Sequence, residues 1–247
     1  MAVSWAPGLT VSPEPLRKVV RRSSPVNNGW HRTNKNPAGF CGGESKGELE
    51  FMMFAEIDPN VTAIAPQPCD IPFSHDAKLC RHIPDFAILE RDQSLIFEVK
   101  SRRQYGKADL QRRLRSAARS IEARGWPYFV VVKEEILAHR LYANVAALWR
   151  WLRPSYTGLQ QLAVTEMLSR GCVRIADVTS ALQTRMGSGA PSTENILSMG
   201  ANGLIFVDLD DPIGAGTRIR FADRSALPDP LLPRRRPADD YPWESAA

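Results

Sequence analysis

The residues best suited to chemistry in this chain fall in two short stretches, Pro84-Asp85-Phe86 and Glu98-Val99-Lys100. Two carboxylates and an ammonium group form a set that can hydrolyse a phosphodiester. The acids offer oxygen ligands to a hard cation, Mg²⁺ with Mn²⁺ as its substitute. Such a cation polarises a phosphoryl oxygen and lowers the pKa of a bound water. The ammonium orients or helps deprotonate that water and steadies growing negative charge. In Glu98-x-Lys100 the two-residue period of a strand puts both side chains on one face. Twelve residues separate Asp85 from Glu98, the length of two short strands and a turn. By itself the pattern equally describes an exposed hairpin with an ordinary salt bridge, so the surrounding elements decide its weight.

Those elements are legible. Ser45 with Glu48 fits a capping box that opens a helix to Ile57, and Phe51, Met52, Phe54 and Ala55 give it an apolar face. Asp58-Pro59-Asn60 ends it. Val61 to Ala65 reads as a strand. Arg81 to Leu89 and Ser94 to Lys100 read as a hairpin across the polar turn Glu90 to Gln93. Lys107 to Arg124 reads as a helix with an apolar stripe of Leu110, Leu114, Ala117, Ala118 and Ile121, closed by Gly125. The unbroken apolar run Pro127 to Lys133 reads as a buried strand, and Ala143 to Leu152 as a helix with Trp149 and Trp151 in the core. The expected order is α-β-β-β-α-β.

Charge distribution points the same way. The chain has 247 residues and a net charge of +5. Between Ser101 and Arg124 eight basic residues stand against two acids, an excess larger than the surplus of the whole chain. Arg102, Arg103, Lys107, Arg112 and Arg113 are the candidates for a phosphate-facing surface. The alternative is a solvated helix face. No apolar run approaches the roughly 18 residues needed to span a bilayer, and no secretory signal is visible, so a cytoplasmic location is expected. Cys41, Cys69, Cys80 and Cys172 form no C-x-x-C pair and read as reduced thiols. His75 and His82 flank the acidic stretch and read as satisfied or solvent-facing rings rather than ligands. Gln67 reads as a backbone-phosphate contact or a strand cap, and Tyr105 as a packing residue with base stacking as the alternative.

The stretch from Glu44 to Lys100 resembles the PD-(D/E)xK nucleases, and specifically the catalytic domain of TnsA-type transposon endonucleases. Glu48-Leu49-Glu50-Phe51, Glu56-Ile57-Asp58-Pro59, Gln67-Pro68, Pro84-Asp85-Phe86 and Glu98-Val99-Lys100 carry the resemblance. It extends over about residues 44 to 153. It implies a restriction-endonuclease-like α/β fold and a metal-dependent DNA endonuclease. Asp85 takes the place of the central metal ligand and Lys100 that of the catalytic lysine. An acid on the first helix completes the metal site. The register places it at Glu48, with Glu50 as its rival. Glu98 is a departure, because TnsA-type proteins can carry Gln there. The partners implied are double-stranded DNA, a DDE-type transposase that cuts the 3′ ends while this chain nicks the 5′ ends, and an AAA+ ATPase regulator. The setting implied is bacterial, with nucleoid association when bound to DNA.

Beyond Pro154, helices are expected at Leu159 to Ser169, Ile175 to Arg185 and Ser192 to Met199. Strands follow at Gly203 to Leu209 and Thr217 to Phe221. Three helices and a hairpin make a winged-helix-like pattern. The expected organisation is a basic arm over 1–44, a nuclease domain over 45–153, a winged-helix-like domain over 154–224 and a disordered tail over 225–247. Tyr241-Pro242-Trp243 in that tail reads as a docking peptide or as nothing. Two other readings stay open: a stand-alone restriction, repair or phage-type nuclease, and a non-catalytic DNA-binding scaffold.

Overall fold

Alternating apolar residues build three antiparallel strands, β3 (Val61–Pro66), β6 (Phe86–Glu90) and β7 (Gln93–Lys100). β8 (Tyr128–Val132) joins them parallel to β7, giving the sheet order β3-β6-β7-β8. A parallel neighbour needs a crossover, and the helix α3 (Ala108–Glu122) provides it. The computed structural model describes residues 4–12, 16, 29–169 and 171–237. They divide into two units. The first takes the chain up to Ala55, Asn60–Ala138 and Leu231 onward; the second takes Glu56–Pro59 and His139–Pro230.

In the first unit, helix α1 (Lys46–Ile57) covers one face of the sheet. Its Phe51 ring stacks on Phe86 at 4.8 Å and lies 5.2 Å from Phe97. Leu114, Ala118 and Ile121 of α3 pack on Ala87, Ile96, Tyr128, Val130 and Val132, which belong to the other face. The expected α-β-β-β-α-β order is therefore present, with two insertions. The expected strand from Arg81 to Leu89 is split: Arg81 and His82 belong to β5 (Lys78–His82), which pairs only with β4 (Ile71–His75). Pro84 lacks the N–H a ladder needs, and β6 starts after Asp85. The expected helix from Lys107 is preceded by α2 (Arg102–Tyr105), opened by a Ser101/Gln104 capping box. Gly125 sits at φ +80° just past α3, the left-handed conformation that a glycine helix stop adopts most easily. The short helix α4 (Lys133–Leu137) follows β8 directly.

Among the described residues, parts of both expected termini pack on the first unit. β1 (Gly29–Arg32) and β2 (Phe40–Gly43) pair within the expected arm. Leu9 is buried in the core, and Ala6 N donates to Ser94 Oγ at 2.8 Å. Near the other end, Leu231 and Leu232 are buried. Val130 N, on the outer edge of β8, donates to Arg235 O at 2.8 Å. Arg234 pairs with Glu90, and Arg235 pairs with Glu135 at 2.6 Å. An edge strand has free backbone groups to satisfy, and residues 231–237 satisfy one of them. Arg17, Lys18, Arg21, Arg22 and the Tyr241-Pro242-Trp243 segment lie outside the described residues.

The second unit contains α5 (Tyr142–Trp149), α6 (Gly158–Leu168), β9 (Val173–Arg174), α7 (Ile175–Met186), α8 (Thr193–Ala201), β10 (Ile205–Val207) and β11 (Arg218–Phe221). Its sheet order is β10-β11-β9. Two-residue β9 was not anticipated, because so short a strand has no period to read. Trp149 and Trp151, expected in the core, are half-buried. Gly200 on α8 faces stiff, β-branched Val207, and a Cβ there would collide with its Cγ2. Gly200→Ala gains about 1 kcal/mol of helix propensity. Overpacking costs about 1–3 kcal/mol and wins, since Val207 has no rotamer freedom to yield. Urea unfolding should show a lower midpoint at unchanged m-value; an unchanged or raised midpoint would refute the packing argument.

Candidate active site

Asp85 stands just before β6, and Glu98 and Lys100 lie on the last turns of β7's pleat. Pairing of Phe86 with Phe97 sets the register that brings them together. Asp85 Oδ2 accepts from Val99 N at 2.8 Å and from Lys100 Nζ at 3.2 Å. The same ammonium pairs with Glu98 Oε1 and donates to Val99 O at 3.1 Å. Asp85 and Glu98 are 7% and 5% exposed, so this pair of acids shares one cation almost out of water.

Burial disfavours charge on Lys100, but the Glu98 and Asp85 carboxylates and their hydrogen bonds outweigh it and hold its pKa above the ordinary value. The ammonium is thus locked on. In this state Lys100 orients and stabilises; it has no lone pair with which to deprotonate water.

Glu48 lies on the first turn of α1, where its N donates to Ser45 Oγ at 3.3 Å, one half of the expected capping box. Ser45 Oγ donates to Glu48 Oε1 at 2.9 Å, and Glu44 N donates to Glu48 Oε2 at 2.8 Å. Burial and the neighbouring charge of Asp85 push the Glu48 pKa up to about 7, against the pull of those hydrogen bonds and Lys100. Glu50, the rival, is half-buried, and its charge acts on His31 of β1 instead. Glu48 is thus bound into the start of α1 while it senses the charge of Asp85.

Two carboxylates contact one ammonium, a third stands within range of their charge, and all three offer oxygens. This is the donor chemistry and charge deficit that suits a hard divalent ion. As the side chains stand, no three His, Cys, Asp or Glu groups among the described residues are arranged to hold a metal. Lys100 Nζ contacts both Asp85 and Glu98, and Glu48 is turned to its own helix cap.

Three neighbours were assigned little or no part in the site from sequence. Gln67 is 3% exposed at φ +45°; its N donates to Asp85 O at 2.8 Å and its Nε2 to Glu44 Oε1 at 3.1 Å. It ties the Asp85 backbone to the Glu44 side chain. His82 Nε2 lies 3.4 Å from Glu98 Oε2 and 3.2 Å from Tyr128 OH. The Gln67-Pro68 motif was a readable signal; His82 and Tyr128 offered none, being 46 residues apart. Tyr105 is buried, as expected.

The basic candidates are all exposed. Arg102 and Arg103 open α2 immediately after Lys100. Arg112 pairs with Asp109 within α3, and Arg113 lies over the Phe73 ring at 6.0 Å. Among the described residues no helix is long and apolar enough to cross a membrane.

Residues 58–133 match the family model for the TnsA-like endonuclease N-terminal domain. The TnsA-like segment contains Asp85, Glu98 and Lys100 but begins after Glu48. It covers the sheet and α3, a narrower span than the sequence resemblance suggested. No curated protein matches the chain. The match supports the resemblance to TnsA-type endonucleases, and the TnsA-like sheet is where the buried acids converge.

Proposed function

We propose that the chain is the metal-dependent endonuclease subunit of a heteromeric transposase, hydrolysing phosphodiesters at the 5′ ends of a transposon. The observation that carries this reading is the convergence of Asp85, Glu98 and Lys100 inside the TnsA-like segment. Asp85, Glu98 and Glu48 would hold Mg²⁺, or Mn²⁺ in its place. The ion would supply Lewis acidity and a water of lowered pKa. Lys100 orients the attacking water and steadies charge on the phosphoryl oxygens. Arg102, Arg103 and Lys107, with Arg112 and Arg113, hold the flanking phosphates of double-stranded DNA.

The second unit acts as a winged-helix-like docking module. α8, in the position of a recognition helix, buries Ile196, Leu197, Ser198 and Met199, and Glu194 is its one charged side chain. A groove-reading helix presents donors and cations to bases. This one favours a protein partner, such as the DDE-type transposase or its AAA+ ATPase regulator.

The presence of Glu98 favours one alternative, a stand-alone restriction, repair or phage-type nuclease with the same chemistry. The test is nicking of plasmid and element-end duplexes with Mg²⁺, Mn²⁺ or excess chelator, alone and with a DDE-type partner. Metal-dependent cutting only with the partner supports the proposal; metal-dependent cutting alone at unrelated sequences supports the alternative. No cutting under either condition leaves the non-catalytic scaffold.

A further inference from the structure

We propose that His82, backed by Tyr128, is a positioning residue that fixes the Glu98 carboxylate for its ion. This rests on the endonuclease reading and deepens it. Glu98 offers two oxygens. Lys100 takes Oε1, and His82 Nε2 stands 3.4 Å from Oε2. The same ring nitrogen is 3.2 Å from Tyr128 OH, and the two rings meet edge to face with centroids 5.8 Å apart.

Three separate elements build this arrangement. His82 ends β5, held by its pairing with Ile71 at the start of β4. Phe73 of β4 lies edge-on to the His82 ring at 6.3 Å, fixing its plane. Tyr128 opens β8, and its pairing with Ile96 puts it on the sheet face that carries Glu98. Burial and the charges of Glu98 and Asp85 keep the Tyr128 hydroxyl protonated. His82 Nε2 is hydrogen-bonded to Tyr128 OH and approaches Glu98 Oε2, a buried oxygen, at 3.4 Å; a proton on that nitrogen is the positive end this oxygen faces. The β4–β5 hairpin, an insertion in the α-β-β-β-α-β order, thereby reaches into the site. Hydrogen-bonded partners of ligand carboxylates commonly contribute ten- to a hundredfold in metal affinity.

The experiment is calorimetric titration of the full-length chain with Mn²⁺, without DNA, for wild type, His82→Ala, His82→Gln and Tyr128→Phe. Circular dichroism checks folding. Glutamine places an amide nitrogen near the Nε2 position, so it can keep the donor without the ring. His82→Ala should weaken binding by about tenfold or more, His82→Gln should recover most of it, and Tyr128→Phe should cost less than His82→Ala. Nicking by His82→Ala should show a lower kcat at unchanged KM. Unchanged Mn²⁺ affinity in His82→Ala overturns the positioning role and leaves the endonuclease reading standing. Equal losses in the Ala and Gln variants also overturn it, because the ring rather than the donor then matters. If His82→Ala does not fold, Tyr128→Phe decides, and wild-type affinity there overturns the proposal. A wild-type chain that binds no divalent ion overturns both readings together.

Discussion

Asp85→Ala and Lys100→Ala should each lower metal-dependent nicking by about a thousandfold or more. The two losses have different causes, which separates them from general damage. Asp85→Ala removes the acceptor for Val99 N and one of two carboxylates on Lys100. A buried N–H left without a partner costs about 1–3 kcal/mol, so modest destabilisation accompanies the loss. Lys100→Ala leaves Asp85 and Glu98 buried together without their shared ammonium. Removing one partner of a buried ion pair costs about 3–5 kcal/mol. A divalent ion can take over that neutralising role but cannot replace the ammonium at the phosphoryl oxygens. Mg²⁺ or Mn²⁺ should therefore raise the melting temperature of Lys100→Ala more than that of wild type, without restoring nicking. Wild-type cleavage by either variant would dismiss the site. Equal thermal shifts with and without Lys100 would dismiss the account of its charge.

Glu48 should give the chain a pH-dependent stability and metal affinity. Its folded pKa is about 7, raised by burial and by Asp85 from the ordinary carboxylate value. The folded state therefore holds this proton more tightly than the unfolded state. Below pH 4.5 both states carry it and the group imposes no penalty. Between pH 4.5 and 7 the unfolded chain releases the proton first, and this group's contribution to stability falls as pH rises. Above 7 the loss is complete, on the order of 3 kcal/mol. Metal affinity moves in the opposite sense, because a protonated Glu48 is a poor ligand. Mn²⁺ should bind more tightly at pH 8 than at pH 5.5. Glu48→Gln should flatten the metal-free stability profile between pH 5 and 7 and lower nicking by about a hundredfold or more. Glu50→Gln should leave both near wild type. If Glu50→Gln abolishes nicking and Glu48→Gln does not, the helix acid has been assigned to the wrong residue.

The amino-acid sequence by itself determined what depends on neighbours a few residues apart. Ser45 and Glu48 announce the start of α1, Glu98 and Lys100 share a face by strand alternation, and the stripe from Leu110 to Ile121 lays α3 on the sheet. Such periodicities survive in a linear reading because the backbone geometry that creates them is local. Only the tertiary structure decided which distant groups meet. His82 and Tyr128, the hairpin that Pro84 separates from β6, and residues 231–237 returning to the edge of β8 all depend on long-range packing. A Pro- and Arg-rich segment looks unable to form its own core, and it does not need one when Leu231, Leu232 and Arg234 find partners on a sheet already folded. The same reason governs the ionisation of the site. Glu48 is raised because folding removes water and brings Asp85 near, and Lys100 stays charged because Glu98 and Asp85 outweigh its burial; no spacing in the chain encodes a dielectric.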